Sequence, residues 1–255
     1  MNISELLVNG KHLLKDIEDG NIKARILLEY ILKLSREKIV SNPNIEVSDN
    51  NVESYLNKIN DIKNGMPIQY ITNKQEFMKL NFYVDKNVLI PQPDTEILVE
   101  KAIEICNNHG NDIKILDLCT GSGAIGISIA KNIKNAKQNN VDNIEFIVSD
   151  MFENIQEKDF DIIVSNPPYI ETDVIKTLPT EVRNEPIIAL DGGKDGLKFY
   201  KIILSEYKKY LKKDGYLLLE IGYNQAKSVG ELINLNYSII EDLAGNDRVI
   251  IIKGW

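Results

Sequence analysis

The segment KILDLCTGSGAIGISIAKNIKNAK, residues 114–137, predicts a short buried strand, a glycine turn and a helix in direct succession. Gly121 and Gly123 let the backbone turn tightly and leave room for a ligand beside the main chain. The start of the helix offers free N–H groups to a carboxylate or a phosphate. The glycines are not followed by the Gly-Lys-Ser/Thr of a phosphate-binding P-loop, so the sequence disfavours an ATPase.

Strands and helices alternate from this segment to the end of the chain. Further strands are predicted at 144–150, 160–166, 216–221, 237–243 and 248–254, and helices at about 196–211 and 224–235. This alternation predicts an α/β fold whose mainly parallel sheet is covered by helices on both faces. The last two strands have no helix between them, which predicts an antiparallel pair at the sheet edge.

The chain before the sheet is predicted to be helical. Apolar residues recur at spacings of three and four in three stripes between residues 2 and 65, with turn signals between the stripes. The segment from Phe77 to Ile90 alternates instead, which predicts a hairpin turning around Asp85-Lys86-Asn87. Asp94-Thr95 can cap a helix that begins near Glu96. We therefore expect a helical bundle at 1–75, a β-hairpin linker at 76–92 and a third domain at 93–255.

The amino-acid composition indicates in which cellular compartment the protein works and which partners it can bind. The 255 residues include 38 acidic and 30 basic side chains, and the resulting net charge of -8 disfavours a protein that coats nucleic acid. Cys106 and Cys119 are too few for a disulfide framework, and no Cys/His cluster has zinc-site spacing. The N-terminus has acidic residues where a signal peptide needs basic ones, and no apolar run approaches the roughly 18 residues of a membrane span. We expect a cytoplasmic protein with no bound metal and no membrane partner.

A second motif, Asn166-Pro167-Pro168-Tyr169, follows the predicted strand FDIIVSN at 160–166. It lies at the carboxyl end of that strand, where open α/β sheets bind ligands. The two prolines remove backbone donors, so the nearby carbonyl groups and the Asn166 amide oxygen can act as acceptors. Such a site suits a planar NH2 group, from a carboxamide or from a base, and Tyr169 offers a flat face to pack against it.

These motifs resemble the class I S-adenosylmethionine-dependent methyltransferases that act on amide or exocyclic amino nitrogens. The resemblance is more specific to the bacterial release factor glutamine methyltransferase family and runs over nearly the whole chain. It rests on the helical N-terminus, the hairpin, IPQPDTE at 90–96, DLCTGSGAIGISIA at 117–130, NPPY at 166–169, EVRNEP at 181–186 and ALDGGKDGLKFY at 189–200. It implies a Rossmann-like sheet with a small N-terminal helical bundle that recognises the substrate, joined by the β-hairpin.

The resemblance also implies a reaction. Members of the family transfer a methyl group from S-adenosylmethionine to the side-chain amide nitrogen, N5, of the glutamine in the Gly-Gly-Gln loop of peptide chain release factors. S-adenosylhomocysteine is the product, and the methylation supports translation termination. The expected partners are therefore release factors, without nucleic acid, and the expected state is a monomer.

The resemblance assigns roles to residues of both motifs. Asn166 and the Pro167 carbonyl would bind the glutamine amide beside Pro168, Tyr169 would pack against it, and Asn166, Pro167 and Tyr169 would form the catalytic set. Asp117 would lie near the ammonium of the cofactor. The methionine part would be held by the remainder of the turn: Cys119, Thr120, Gly121, Ser122 and Gly123. Asp150, Met151 and Phe152 would lie around the adenine, and Asn166 would also touch the cofactor.

The sequence departs from the family pattern at several positions. Cys119, Gln92 and Met151 stand where the family usually has glycine, arginine and an aromatic residue. A strand and a helix of about 25 residues are also missing after residue 138. That strand would end in the acidic residue that binds the cofactor ribose, and Asp150 lies further from the glycines than the roughly 20 residues expected of such an acid. Three explanations are open: the natural polypeptide contains a segment that this sequence lacks, Asp150 takes over the ribose contact, or the protein is an inactive relative.

Other functions fit parts of the pattern. An adenine N6-type methyltransferase acting on DNA or RNA would present the same planar NH2 to the NPPY site. The negative net charge and the helical N-terminal module disfavour it. An enzyme acting on a ribosomal protein glutamine and a binding protein without turnover are the remaining alternatives.

Overall fold

The computed structural model describes residues 1–109, 113–133 and 144–255. The helices, in chain order, are α1 (Ile3–Leu13), α2 (Gly20–Leu32), α3 (Arg36–Ser41), α4 (Asp49–Lys63), α5 (Ile68–Thr72), α6 (Thr95–His109), α7 (Ala124–Asn132), α8 (Thr180–Arg183), α9 (Ile187–Leu190), α10 (Lys198–Glu206) and α11 (Ala226–Gly230). The strands are β1 (Gln75–Phe77), β2 (Leu80–Phe82), β3 (Ile115–Leu118), β4 (Phe160–Ser165), β5 (Leu211–Glu220), β6 (Tyr237–Glu241) and β7 (Asp247–Lys253). None of the described helices is long and apolar enough to span a membrane.

The chain forms two compact units. The first comprises Met1–Lys74, Val84–Lys86 and Pro179–Asn184. It is helical, as its apolar spacing predicts, and the stripes meet in one buried core around Leu6, Leu27 and Ile59. Tyr55 is fully buried in that core. Its hydroxyl group donates a 3.0 Å hydrogen bond to the Ala24 carbonyl, so the polar atom of this side chain is not left without a partner.

The second unit comprises Gln75–Tyr83, Asn87–Leu178 and Glu185–Trp255. Among the described residues of this unit, five strands form one sheet in the order β3-β4-β5-β7-β6. The pairs β3-β4 and β4-β5 are parallel, and β7 pairs antiparallel with β5 and with β6. The predicted antiparallel pair is therefore confirmed, but the described sheet is mixed rather than mainly parallel, because β7 enters between β5 and β6.

Alternate residues of the central strands pack on opposite faces of this sheet. Ile163 on β4 belongs to a buried cluster with Tyr200 and Ile203 of α10. Its neighbour Val164 belongs to the cluster on the other face, with Leu98 and Val99 of α6. Because successive side chains of a strand point to opposite faces, β4 is covered on both sides, as its continuous apolar run predicts.

The hairpin exists, but its predicted turn is wrong. Strands β1 and β2 pair antiparallel from Gln75 opposite Phe82 to Phe77 opposite Leu80. The turn is therefore Met78-Lys79, and both residues have positive φ angles, 51° and 61°. Two left-handed residues are typical of a two-residue hairpin turn, where Asn-Gly is the usual sequence. Met-Lys does not resemble these turn sequences, so the sequence pattern predicted the turn at Asp85-Lys86-Asn87 instead.

The prediction of a strand at 144–150 is also wrong. These residues form no strand, and Val148 is 94% exposed. A strand needs a hydrogen-bonded neighbour, and β3, which ends the sheet among the described residues, does not pair with this segment. The Phe146 ring lies instead against the glycine turn, 3.2 Å from where a Cβ on Gly123 would be. The end of the predicted helix at 134–137 and the junction after residue 138 lie outside the described residues.

Candidate functional site

The glycine turn and the NPPY motif lie side by side in the structure. Leu118 is paired with Ser165 in the parallel register of β3 and β4, so the glycine turn and Asn166 follow adjacent strand ends. The fully buried Ser165 hydroxyl donates a 2.9 Å hydrogen bond to the Leu118 carbonyl. This bond ties the two strand ends together at the carboxyl edge of the sheet, where α/β proteins bind ligands.

The glycine turn depends on left-handed backbone at three positions. Cys119, Gly121 and Gly123 have φ angles of 61°, 54° and 80°. The glycines adopt this region without cost, whereas a side chain there costs about 1–2 kcal/mol. Cys119 therefore carries backbone strain that a glycine would not, and α7 begins directly after the turn with its N–H groups at the same sheet edge.

Asp117 connects β3 to the start of α7. Its Oδ2 atom accepts hydrogen bonds from the Thr120 hydroxyl at 2.6 Å and from the Gly126 amide at 3.0 Å. Its Oδ1 atom is buried and has no hydrogen-bond partner. Burial raises the pKa of Asp117 to about 6, and the bonds from Thr120 and Gly126 oppose that rise. A buried carboxylate oxygen without a partner fits a cationic ligand group such as an ammonium.

The predicted adenine-binding residues lie beside the turn. The Cys119 sulfur is 3.7 Å from the Met151 sulfur, so the glycine turn and the 150–152 segment are in contact. Phe152 is buried, and one face of its ring stacks on Tyr210 with the centroids 4.7 Å apart. Asp150 is exposed at the same end of the sheet. The prediction that these three residues surround an adenine stays a prediction.

Asn166 has its donor side already occupied. Its Nδ2 atom donates a 3.0 Å hydrogen bond to the hydroxyl of Thr95, at the start of α6. The amide orientation therefore leaves Oδ1 as the acceptor on the other side, and no hydrogen bond of the described residues takes it. Pro167 and Pro168 are buried and have no N–H groups, so this corner presents acceptors only.

The backbone of the NPPY motif is held by the segment at 189–200. A Cβ on Gly192 would lie 2.7 Å from the Tyr169 Cα and 2.9 Å from the Pro168 carbonyl oxygen. The Gly192 amide donates a 2.8 Å hydrogen bond to the Ile170 carbonyl. The buried Gln225 adds a 3.0 Å bond from its Nε2 atom to the Tyr169 carbonyl. Only glycine allows the two backbones to approach this closely, which explains the first glycine of the pair in ALDGGKDG.

A buried hydrogen bond joins two other motifs. Glu185, from EVRNEP, is 7% exposed, and its Oε2 atom accepts a 2.9 Å hydrogen bond from the amide of Ile90, the first residue of IPQPDTE. Gln92 bonds back to the Ile90 carbonyl through its Nε2 atom, at 3.0 Å. The two segments, far apart in sequence, are thus joined inside the second unit near the start of α6.

Sequence reasoning missed the buried polar residues around NPPY. They are Thr95, Ser165, Glu220 and Gln225, each at most 9% exposed. Glu220 ends β5, and burial raises its pKa to about 7, with Asp94 adding to the rise and Thr95, Arg248 and Tyr169 opposing it. Burial, and next the negative charge of Glu220, raise the pKa of Tyr169. One signal was available, since Glu220 is a charged residue closing the apolar run YLLLE at 216–220.

Comparison with known proteins supplies relatives for both units. Residues 5–72 match the family described as PrmC N-terminal domain, and residues 131–185 match the Methyltransferase small domain family. The chain is 41% identical to a release factor glutamine methyltransferase of Clostridium acetobutylicum and 42% identical to one of Clostridium botulinum, covering 98% of both chains in each case. A methyltransferase structure from Pyrococcus furiosus superposes with a TM-score of 0.50 at 17% identity, over 78% of this chain and 98% of that one.

The alignment with the C. acetobutylicum protein is longer than this chain. It runs over 280 residues, whereas 98% of 255 residues is about 250, so about 30 positions of the relative have no counterpart here. That difference is close in size to the strand and helix of about 25 residues that the family resemblance predicts after the glycine turn.

Proposed function

This chain belongs to the release factor glutamine methyltransferase family, and from that premise we propose that it methylates N5 of the glutamine in the Gly-Gly-Gln loop of peptide chain release factors. The mixed sheet with helices on both faces is a class I, Rossmann-like methyltransferase fold. The enzyme class is that of S-adenosylmethionine-dependent protein-glutamine methyltransferases. We propose further that the protein acts as a monomer in the cytoplasm, without nucleic acid, and that the helical unit recognises the release factor.

One observation carries the proposal: the acceptor-only corner at Asn166. The bond from Asn166 to Thr95 fixes the donor side of the amide, so Oδ1 can accept from one N–H of a substrate carboxamide. The Pro167 carbonyl would accept from the second N–H, and Tyr169 would pack on the amide plane. A primary amide has these two donors, which supports a glutamine side chain as the substrate.

The glycine turn fits the amino-acid end of S-adenosylmethionine. The unpartnered Asp117 Oδ1 suits its ammonium, and the amides at the start of α7 suit its carboxylate. In this proposal Asp117 and the turn from Cys119 to Gly123 would hold the methionine part, with Asn166 alongside. Asp150, Met151 and Phe152 would lie around the adenine, and Asp150 would take the ribose in place of the acid on the missing strand.

The chain's own residues would then orient and polarise the substrate. Bound here, S-adenosylmethionine supplies an electrophilic methyl group on a sulfonium. An amide nitrogen is a poor nucleophile because its lone pair is delocalised into the carbonyl. Acceptors on both N–H groups return electron density to nitrogen and align it, which is worth several kcal/mol of barrier. The methylated nitrogen loses its proton readily, so the site needs no strong base beside it.

The test is a methylation assay on the full chain. The protein, confirmed at an intact mass of 28.9 kDa, is incubated with S-adenosylmethionine and a purified release factor, and the peptide containing Gly-Gly-Gln is weighed. We expect a gain of one methyl group on that glutamine. A larger intact mass would mean that the natural polypeptide contains the missing segment.

Asn166→Ala should lower turnover at least about a hundredfold while cofactor affinity changes only a few fold. Asn132→Ala, which removes a half-buried asparagine of α7, is the matched control. Methylation of adenine in an oligonucleotide, or of a ribosomal protein glutamine, in place of the release factor would overturn the proposal.

A further inference from the structure

The turn between β6 and β7 holds an apolar side chain in solvent. Leu243, in this turn, is fully exposed. The backbone around it is nevertheless well fixed, because the Asp242 carboxylate accepts hydrogen bonds from the amides of Ala244 at 2.8 Å and Asn246 at 2.9 Å. The Asp242 amide also donates a 2.8 Å bond to the Asn246 carbonyl. A side chain carried by such a preorganised turn loses little conformational freedom when a partner covers it.

Arg248 connects this turn to the segment that holds Asn166. Its Nε atom donates a 2.9 Å hydrogen bond to the Asp242 carboxylate, and its guanidinium group also forms an ion pair with Asp94 at 2.8 Å. Thr95, the next residue, accepts the 3.0 Å hydrogen bond from the Asn166 Nδ2 atom. The β6–β7 turn is therefore anchored to the same segment as the acceptor-only corner of the proposed substrate site.

Other exposed apolar side chains lie on the loops at this edge of the sheet. Tyr223, in the loop after β5, is 66% exposed, and Ile188, in α9, is 81% exposed. The last residue of α9, Leu190, accepts a 3.0 Å hydrogen bond from the amide of Ile170, which directly follows NPPY. Single exposed apolar residues are common on proteins, whereas a group of them around one site marks an interaction surface. Here we call Ile188, Tyr223 and Leu243 the apolar rim.

A protein bound at NPPY would also cover Leu243. Glu220, the last residue of β5, is paired with Val249 near the start of β7, so the β6–β7 turn lies at the same edge as NPPY. Neighbouring strands are about 4.8 Å apart, and two such steps separate β4 from β7, so the turn begins about 10 Å from the end of β4. A standard interface covers about 800 Å² of each partner, which is a disc with a radius of about 16 Å.

We propose that the apolar rim is a docking surface for the release factor, and that Leu243 contacts an apolar patch beside its Gly-Gly-Gln loop. The inference rests on the proposed function, because it takes the release factor as the substrate. It adds residues that increase affinity for the intact protein substrate and take no part in methyl transfer. A five-residue peptide centred on the glutamine extends only about 7 Å to either side, so it stops short of the turn.

The kinetic test compares the intact release factor with that five-residue peptide. Leu243→Ser should raise KM for the release factor about tenfold or more, because the burial of a leucine side chain no longer contributes to binding, and kcat should stay within about twofold. Leu243→Met keeps an apolar side chain and should retain the wild-type KM. With the peptide, kcat/KM should be the same in all three proteins. The matched control is Trp255→Ser, which changes an exposed apolar side chain after the far end of β7 and should leave KM unchanged.

An unchanged KM for the release factor in Leu243→Ser, or an equal loss with the peptide, would overturn the inference. A second copy of this chain is the other occupant that the rim could bind. Sedimentation at the assay concentration tests it, since a dimer that Leu243→Ser dissociates would also overturn the inference.

Cross-linking separates this inference from the proposed function. A photoreactive phenylalanine analogue at position 243 should cross-link to the purified release factor near its Gly-Gly-Gln loop, and the same analogue at position 255 should not. A cross-link near that loop in a protein that does not methylate the release factor would reject the proposed function alone. Methylation of the release factor without a cross-link from position 243 would reject the docking surface alone.

Discussion

Ser165 donates its hydroxyl proton to the carbonyl of Leu118 across the parallel pair β3-β4, at 2.9 Å and without contact with solvent. Leu118 is the last residue before the glycine turn, and Ser165 is the last before NPPY. One hydrogen bond therefore fixes the relative position of the two segments that would hold cofactor and substrate.

Ser165→Ala should destabilise the protein by about 1–3 kcal/mol, because it leaves a buried carbonyl without its partner. Denaturant unfolding at pH 7 measures the loss. Ser128 is equally buried, but its hydroxyl has no hydrogen-bond partner, so Ser128→Ala is the matched control and should be neutral or stabilising. Equal losses in the two variants would show that the bond to Leu118 contributes nothing.

Asp117 should make cofactor affinity depend on pH. The ammonium of the cofactor needs the charged carboxylate, and burial raises the pKa of Asp117 to about 6. The dissociation constant should therefore fall as the pH rises from 5 to 7, at most about tenfold per unit below the pKa. Asp117→Asn should weaken binding about ten- to a hundredfold and remove the pH dependence. Titration calorimetry with S-adenosylmethionine from pH 5 to 8 gives both quantities.

The same group has an opposite effect on the stability of the protein without cofactor. The pKa of Asp117 is higher in the folded chain than its ordinary value of 3.8, so the folded state binds the proton more tightly. Its contribution to the free energy of unfolding must then fall as the pH rises from about 4 to about 6. Asp117→Asn should lack that fall, and an identical pH dependence of unfolding in both proteins would contradict the assignment.

A substitution of Asp150 tests whether this residue binds the ribose of the cofactor. If its carboxylate accepts from the ribose hydroxyls, Asp150→Asn should weaken S-adenosylmethionine binding by about ten- to a hundredfold. Glu145 is another exposed acid, five residues earlier, and serves as the control, since Glu145→Gln should leave binding within about twofold. Comparable affinity in both variants would leave the ribose contact to another group.

Gly192→Ala should disrupt the substrate corner. Its Cβ would meet the Tyr169 backbone at 2.7 Å, so either the NPPY motif or the 189–200 segment must move. We expect a loss of about 2 kcal/mol or more of unfolding free energy, with kcat reduced at least tenfold. Gly245→Ala meets nothing within 4 Å and bears only the cost of its positive φ angle of 81°, which Gly192 does not have, so it should lose about 1 kcal/mol and keep its full kcat. Thermal unfolding and the methylation assay distinguish the two variants.

The local parts of the candidate site can be predicted from the sequence alone. Strand β3, the glycine turn, α7 and the NPPY corner follow from short patterns, because the chemistry of each lies within a few consecutive residues. The same holds for the helical stripes around Leu6, Leu27 and Ile59. Their order along the chain then places the turn and NPPY on one sheet edge.

Contacts between distant residues could not be predicted in this way. Thr95 was expected only to cap a helix, yet its hydroxyl accepts from Asn166, 71 residues later. Glu185 and Ile90 are joined across 95 residues. The segment 144–150 has the composition of a strand and fails to form one, since pairing depends on a neighbour and not on the segment itself. The Met78-Lys79 turn is set by the register of β1 and β2 rather than by its own residues.

The position of β3 at the end of the described sheet also affects how readily this protein aggregates at high concentration. An exposed strand edge presents unpaired N–H and carbonyl groups that another polypeptide can extend, which is a common route to aggregation. At four residues, from Ile115 to Leu118, this edge is too short to template a long intermolecular ladder, and Lys114 puts a charge beside it. The brevity of β3 thus limits aggregation at this end of the described sheet.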